Sequence, residues 1–233
     1  LPKLQSVKRQ KVNDVKRPFL KLKFAEVPNN YNEMTLVMKG NYSVVFRAYN
    51  DGLAYRFVTS LKGEVKVNHE DITVFFPQDA QLVLQQSDRY RTSYEERYSF
   101  VKSTEWLSFQ KMAHYPVLAI TSGGTKILMS ESDLCDYPAP FFRSNDANGF
   151  SSVFPRVPAV EKPRSDKSND VLLRHPYIAK TQGTRSFPWR YFVIAKDEAA
   201  LVTNTMTCRL AQDSKLQDVS WIVPGQASWE WWN

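Results

Sequence analysis

The sequence predicts an all-β chain, a large antiparallel β-sandwich with a few short helices. Three observations carry that expectation. Short runs rich in Val, Ile, Tyr, Phe and Thr recur along the 233 residues, and these side chains suit a pleated, half-buried strand surface. Turn-forming clusters, among them Lys39-Gly40-Asn41, Asn50-Asp51-Gly52 and Gly123-Gly124, punctuate the runs. Strands at such short intervals with little helix between them imply an antiparallel sandwich.

From Val7 to Phe24 basic and apolar residues alternate, as in Leu20-Lys21-Leu22-Lys23-Phe24, and Pro18 breaks the run, so this is strand material near a sheet edge. After the polar turn Asn29-Asn30-Tyr31-Asn32, strands are expected over 34–38 and 42–49. Asn50-Asp51-Gly52 then closes a tight hairpin onto Leu53-Ala54-Tyr55-Arg56-Phe57-Val58, Gly52 supplying the positive φ such a turn needs. Further strands are expected over 65–67 and 72–76, the latter ended by Pro77. The stretch 82–100 reads as loop with short pieces. Its Tyr90, Tyr94 and Tyr98 recur at four-residue spacing, a stripe that more often packs than binds. Strands at 114–120 and 126–129 flank Gly123-Gly124, and proline-rich 150–184 reads as surface loop. Trp189-Arg190-Tyr191-Phe192-Val193-Ile194-Ala195 is a strongly apolar strand, 197–202 a short helix with acids well placed in its first turn, and Met206–Leu210 a last strand.

The net charge of +7 invites a nucleic-acid reading, but its distribution argues against one. Lys3, Lys8, Arg9, Lys11, Lys16, Arg17, Lys21 and Lys23 face Asp14 alone, and the rest of the chain is neutral. Those cations form the solvated face of a strand. No stretch approaches the run of about 18 apolar residues that spans a membrane, so neither nucleic acid nor membrane insertion is expected. Cys135 and Cys208 are too few for a disulfide scaffold and lack zinc spacing. His69, His114 and His175 are far apart, without metal spacing, and read as surface or packing residues.

Ser130-Glu131-Ser132-Asp133-Leu134-Cys135-Asp136-Tyr137-Pro138 concentrates three carboxylates directly after a strand. Two readings stand. Ser130 and Asp133 have the spacing of a capped helix start, with acids at the favourable end of a single turn stopped by Pro138. Alternatively, Glu131 projects from the mouth of the sandwich and offers hard oxygen ligands to calcium.

The last residues, Ser220-Trp221-Ile222-Val223-Pro224-Gly225-Gln226-Ala227-Ser228-Trp229-Glu230-Trp231-Trp232-Asn233, are far more aromatic than a chain end usually is. Each tryptophan wants a large buried area and a partner for its indole N–H. This tail is therefore expected to be a strand whose burying partners lie further downstream; the competing reading docks it as an edge strand or plug on the preceding domain.

Three blocks resemble one family. Phe46-Arg47-Ala48-Tyr49-Asn50-Asp51-Gly52-Leu53-Ala54-Tyr55-Arg56-Phe57, Glu131-Ser132-Asp133-Leu134-Cys135-Asp136-Tyr137-Pro138, and Ser220-Trp221-Ile222-Val223-Pro224-Gly225 with Trp229-Glu230-Trp231-Trp232-Asn233 are similar to the N-terminal domain of glycoside hydrolase family 97. That family comprises α-glucosidases and α-galactosidases common in Bacteroides-type bacteria. The resemblance implies a galactose-mutarotase-like supersandwich over 1–219, lacking its first strands. It implies that 220–233 are the linker and first strand of a (β/α)8 catalytic barrel whose catalytic carboxylates lie beyond Asn233. It further implies that Glu131 is lent to an active-site calcium ion, that the substrate is an α-linked oligosaccharide, and that the parent is periplasmic or secreted. Ala139-Pro140 stands where the family usually has Gly-Met, and Gln226 and Glu230 replace a usual Lys and Asp. The alternative function is a self-contained carbohydrate-binding sandwich without catalysis; a structural or adhesion domain is a third reading.

Overall fold

A computed structural model describes residues 2–18, 23–92, 94–106, 111–145, 149–165, 168–213 and 215. The Trp-rich stretch 220–233, with its expected barrel strand, lies outside the described residues. Chain order runs β1 (Leu4–Val12), β2 (Val15–Lys16), β3 (Val27–Pro28), β4 (Tyr31–Met38), β5 (Tyr42–Tyr49), β6 (Gly52–Val67), β7 (Thr73–Phe75), β8 (Gln81–Ser87) and β9 (Tyr98–Lys102). It continues with β10 (Met112–Ile120), β11 (Lys126–Ser132), β12 (Phe141–Ser144), β13 (Gly149–Val153), β14 (Pro158–Pro163), β15 (Asn169–Arg174), β16 (Ala179–Ser186) and β17 (Trp189–Ala195). Two short helices, α1 (Glu198–Val202) and α2 (Met206–Leu210), follow. No helix among the described residues is long and apolar enough to cross a membrane.

The expected antiparallel, all-β class is what the chain adopts. Thirteen strands form one hydrogen-bonded sheet along the path β1-β4-β5-β6-β17-β11-β10-β12-β13-β7, with β16 joined to β6, β8 to β10, and β9 to β8. Two strands bend it. The start of β6 pairs with β17 (Tyr55 with Arg190), whereas its later half pairs with β16 (Val67 with Ala179). Likewise β10 pairs with β11 over Val117–Ile120 and with β12 at Ala113 and His114. Strands that change partner along their length are how a sheet turns the corners of a sandwich.

Because side chains alternate across a strand, β11 and β17 feed two cores. Met129, with Ile127 and Phe192 packed beside it, joins Leu82, Leu84, Trp106, Phe142 and Phe150 on one face. Tyr191 and Val193, with Leu128, join Tyr49, Trp189, Met206 and Leu210 on the other, where α1 and α2 lie.

The hairpin is as expected: β5 and β6 pair from Tyr49–Gly52 outward to Tyr42–Thr59. α1 is capped by Asp197, whose Oδ1 accepts from the Ala200 N–H at 2.7 Å. Several elements differ from the sequence reading. The strands expected at 53–58 and 65–67 are one continuous β6. Residues 82–100 hold most of β8 and the start of β9, and no helical stripe forms: Tyr90 packs edge-on to Phe141, Tyr94 has φ 60°, and Tyr98 lies in β9. The expected loop 150–184 contains β14, β15 and most of β13 and β16. β14 and β15 pair with each other while staying mostly exposed, so they carry no apolar alternation. β16 does alternate, but through small buried residues, Ala179, Thr181 and Gly183. Met206–Leu210 is a helix, not a strand. It buries Met206, Arg209 and Leu210, the i, i+3, i+4 face of a helix, and Asn204 Oδ1 accepts from the Met206 N–H at 2.8 Å.

Candidate functional site

Glu131 sits one residue before the end of β11, on the same strand face as Met129 and Ile127. A carboxylate at a core-facing position needs a partner. The register supplies it: Glu131 lies opposite Arg190 of β17, which lies opposite Tyr55 of β6. Arg190 is 1% exposed. Its Nη1 donates to Glu131 Oε2, while its Nε and Nη2 donate to Glu70 Oε1 and Oε2 at 3.0 and 2.9 Å. Glu70 arrives from the connection between β6 and β7, and Ser152 pins that connection. Ser152 Oγ donates to the Glu70 carbonyl at 2.8 Å and accepts from the Ile72 N–H at 2.9 Å.

The guanidinium is thus shared unequally, two bonds to Glu70 and one to Glu131. Glu131 Oε1 accepts no hydrogen bond among the described residues. Burial outweighs the remaining attraction of Arg190 and raises Glu131 from the ordinary value of 4.5 to about 7. Burial likewise pushes the Tyr55 phenol up to about 12 and those of Tyr115 and Tyr137 higher still, so all three stay neutral around the cluster. A stability consequence follows. The folded chain holds the Glu131 proton more tightly than the unfolded chain, so Glu131's contribution is full below pH about 4.5 and is lost as pH rises through about 7. The unfolding free energy should fall by up to about 3 kcal/mol across that window. In Glu131→Gln that part of the slope should vanish, as urea titrations at pH 5 and pH 8 would read.

The helical turn expected after Ser130 does not form. β11 keeps its register with β17 through Ser132, whose Oγ donates to the Thr207 carbonyl at 3.0 Å. Asp133 and Asp136 then take left-handed φ of 56° and 53°, which short polar side chains tolerate best after glycine. Asp133 Oδ1 accepts from the Gln212 N–H at 2.8 Å, and Arg185 Nη2 donates to the Cys135 carbonyl at 3.0 Å. The loop beside Glu131 is therefore clamped from two sides, and its backbone departs from ordinary geometry where functional loops often do.

As a cation ligand Glu131 fits in part. It offers hard carboxylate oxygen, one oxygen without a hydrogen bond among the described residues and a charge that Arg190 does not fully offset. It is a single donor: no group of three or more His, Cys, Asp or Glu that could hold a metal occurs among the described residues. The histidines stay outside this chemistry. His114 is buried against Tyr94 and Phe141, His175 stacks on Tyr177, and His69 lies 3.5 Å from Asp71. Both cysteines are free thiols. Arg190 and Glu70 were not singled out in the sequence, although a cation inside the apolar run Trp189–Ala195 is a signal that a buried acid waits opposite.

The Glycosyl-hydrolase 97 N-terminal family model matches residues 2–212. The chain is 31% identical over 244 aligned residues to a retaining alpha-galactosidase of Bacteroides thetaiotaomicron, covering 99% of this chain and 36% of the relative. A probable retaining alpha-galactosidase of Streptomyces bingchenggensis is 28% identical over 82% of this chain and 26% of its own length. Among solved structures, a glycoside hydrolase family 97 enzyme from Pseudoalteromonas sp. strain K8 in complex with acarbose superposes with a TM-score of 0.76. It is 22% identical, over 96% of this chain and 32% of that one. The chain spans between about a quarter and somewhat more than a third of the length of these relatives.

Proposed function

The chain belongs to the glycosyl-hydrolase 97 N-terminal family, and from that premise we propose that it is the non-catalytic sandwich of an α-glycoside hydrolase, packing on a catalytic barrel and lending it Glu131 as one ligand of a calcium ion. The observation that carries this reading is the half-bonded state of Glu131, a nearly buried carboxylate with one oxygen held by Arg190 and the other without a hydrogen bond among the described residues. Bound there, calcium would supply Lewis-acid polarisation and a template beside the glycosidic bond. The chain's own contribution is to hold Glu131 at the end of a rigid strand, to aim it with Arg190, and to fix the 133–136 loop next to it. Calcium takes six to eight oxygens, so the remaining ligands, like the two carboxylates that glycoside hydrolysis uses, are assigned to the barrel. An α-linked oligosaccharide as substrate is supported by the alpha-galactosidase relatives and by the acarbose complex of the Pseudoalteromonas enzyme.

The test uses the full gene product. Glu131→Gln should weaken calcium binding by about 100-fold or more in isothermal titration and abolish calcium-dependent hydrolysis of nitrophenyl α-glycosides, while the near-UV circular dichroism spectrum stays native. Unchanged calcium affinity would overturn the assignment. The 233-residue chain by itself should hydrolyse none of these substrates.

A further inference from the structure

We propose that Arg190 and Glu70 are positioning residues for Glu131: Arg190 aims the carboxylate, and Glu70 cancels the charge of Arg190 so that a cation can approach Glu131. The inference rests on the reading of Glu131 as a metal ligand.

The geometry supports a division of labour. A guanidinium has a planar fork of five donors, and here one edge, Nε with Nη2, is spent on Glu70 in a bidentate pair, while Nη1 alone reaches Glu131. The side chains of Arg190, Glu70 and Glu131 are 1%, 12% and 11% exposed, so water screens them little. With Glu131 ionised, as a metal ligand must be, two carboxylates and one guanidinium leave a net charge of −1 in this enclosure, and the surrounding Tyr55, Tyr115 and Tyr137 add none. Without Glu70 the account would read zero, and a divalent ion arriving at Glu131 would meet an uncompensated Arg190 a few ångströms behind it. Strong repulsion follows from that distance at low effective dielectric.

Glu70 is also held as a positioning group should be. It stands on a connection, not a strand, yet Ser152 fixes that connection on both sides of Glu70's neighbour Asp71, through the Glu70 carbonyl and the Ile72 N–H. Arg190 in turn is locked by the strand pairs on either side of β17. Groups that orient a ligand in this way typically change metal affinity by about 10–100-fold when removed.

The experiment is a double-mutant cycle in the full gene product, read as calcium affinity by isothermal titration and, in parallel, as melting temperature. Glu70→Gln keeps the shape and removes the charge; it should weaken calcium binding about 10-fold or more although Glu70 is not a ligand. The Arg190→Met, Glu70→Gln double variant restores the net charge of −1 on Glu131, so it should bind calcium more tightly than Glu70→Gln alone. Glu33→Gln breaks a comparably enclosed ion pair with Arg47 elsewhere in the sheet; it should lower the melting temperature and leave calcium affinity unchanged. A merely structural role predicts the reverse for the cycle, the double variant being no better than Glu70→Gln, and that result overturns the proposal. If Glu131→Gln itself leaves calcium affinity intact, the metal-ligand reading has failed. If Glu131→Gln loses calcium but Glu70→Gln does not, the positioning role has failed alone.

Discussion

Arg190→Met should lower the unfolding free energy by about 3–5 kcal/mol, the cost of leaving buried carboxylates without their cation. For a domain of this size that is a fall in melting temperature of roughly 6–20 °C. Two features put Arg190 at the high end of single substitutions. It is almost fully enclosed, and it serves two acids at once, Glu70 by two hydrogen bonds and Glu131 by one. Methionine fills much of the same volume, so cavity formation adds little. The charge origin of the loss has its own signature: at pH 5 Glu131, raised by burial to about 7, is protonated and no longer needs its cation, so the variant should lose less there than at pH 8. Urea unfolding at both pH values checks this, and a loss below about 1 kcal/mol at pH 8 would remove Arg190 from the fold's main supports.

Gly52→Ala is expected to cost about 3 kcal/mol, the upper end for an overpacked site. A Cβ at Gly52 would lie 2.1 Å from the Phe192 carbonyl oxygen and 2.8 Å from Met206 Cε. The methionine tip can swing away. The carbonyl cannot, because β17 is held in register by β6 on one side and β11 on the other. Gly123→Ala is the control: its nearest neighbour, Thr121 Oγ1, is 3.9 Å from the added carbon, and the change should stay within about 0.5 kcal/mol. Chemical denaturation of both variants side by side measures the difference.

The turn at Asn50-Asp51-Gly52 was legible in the sequence; the reason its glycine is needed was only half legible. Hairpin chemistry pointed to backbone freedom at Gly52, whereas the tighter constraint is the close approach of β17, a strand some 140 residues later that no local pattern announces. β5 and β17 could be read with their bounds because both alternate large apolar side chains with others over an uninterrupted run. β14 and β15 were missed because strands without a buried face have nothing to alternate, and β16 because its inward residues are small. α2 reads as a strand in the sequence because its five residues hold little more than one helical turn, too few for a period to show; its buried Met206, Arg209 and Leu210 are the trace it leaves.

The site divides in the same way. Glu131 stood out from its acidic neighbourhood and from the resemblance of that block to a known family. Its geometry did not: the expected helical turn is the end of a strand followed by two left-handed aspartates. The lone cation in an apolar strand hinted at Arg190, but its pairing with Glu70 shows only in three dimensions. The two are separated by 120 residues, and Glu70 looks ordinary in its own segment, one of several charges in a connection.

Because β11 and β17 present alternate side chains to both apolar clusters, and β6 is bonded across the corner to β16, neither half of the protein can melt while the other remains intact. Opening either core must sever a strand that both halves require. The domain should therefore lose its structure in one cooperative step, with the amides at the β6–β17–β11 seam the last to exchange with deuterium.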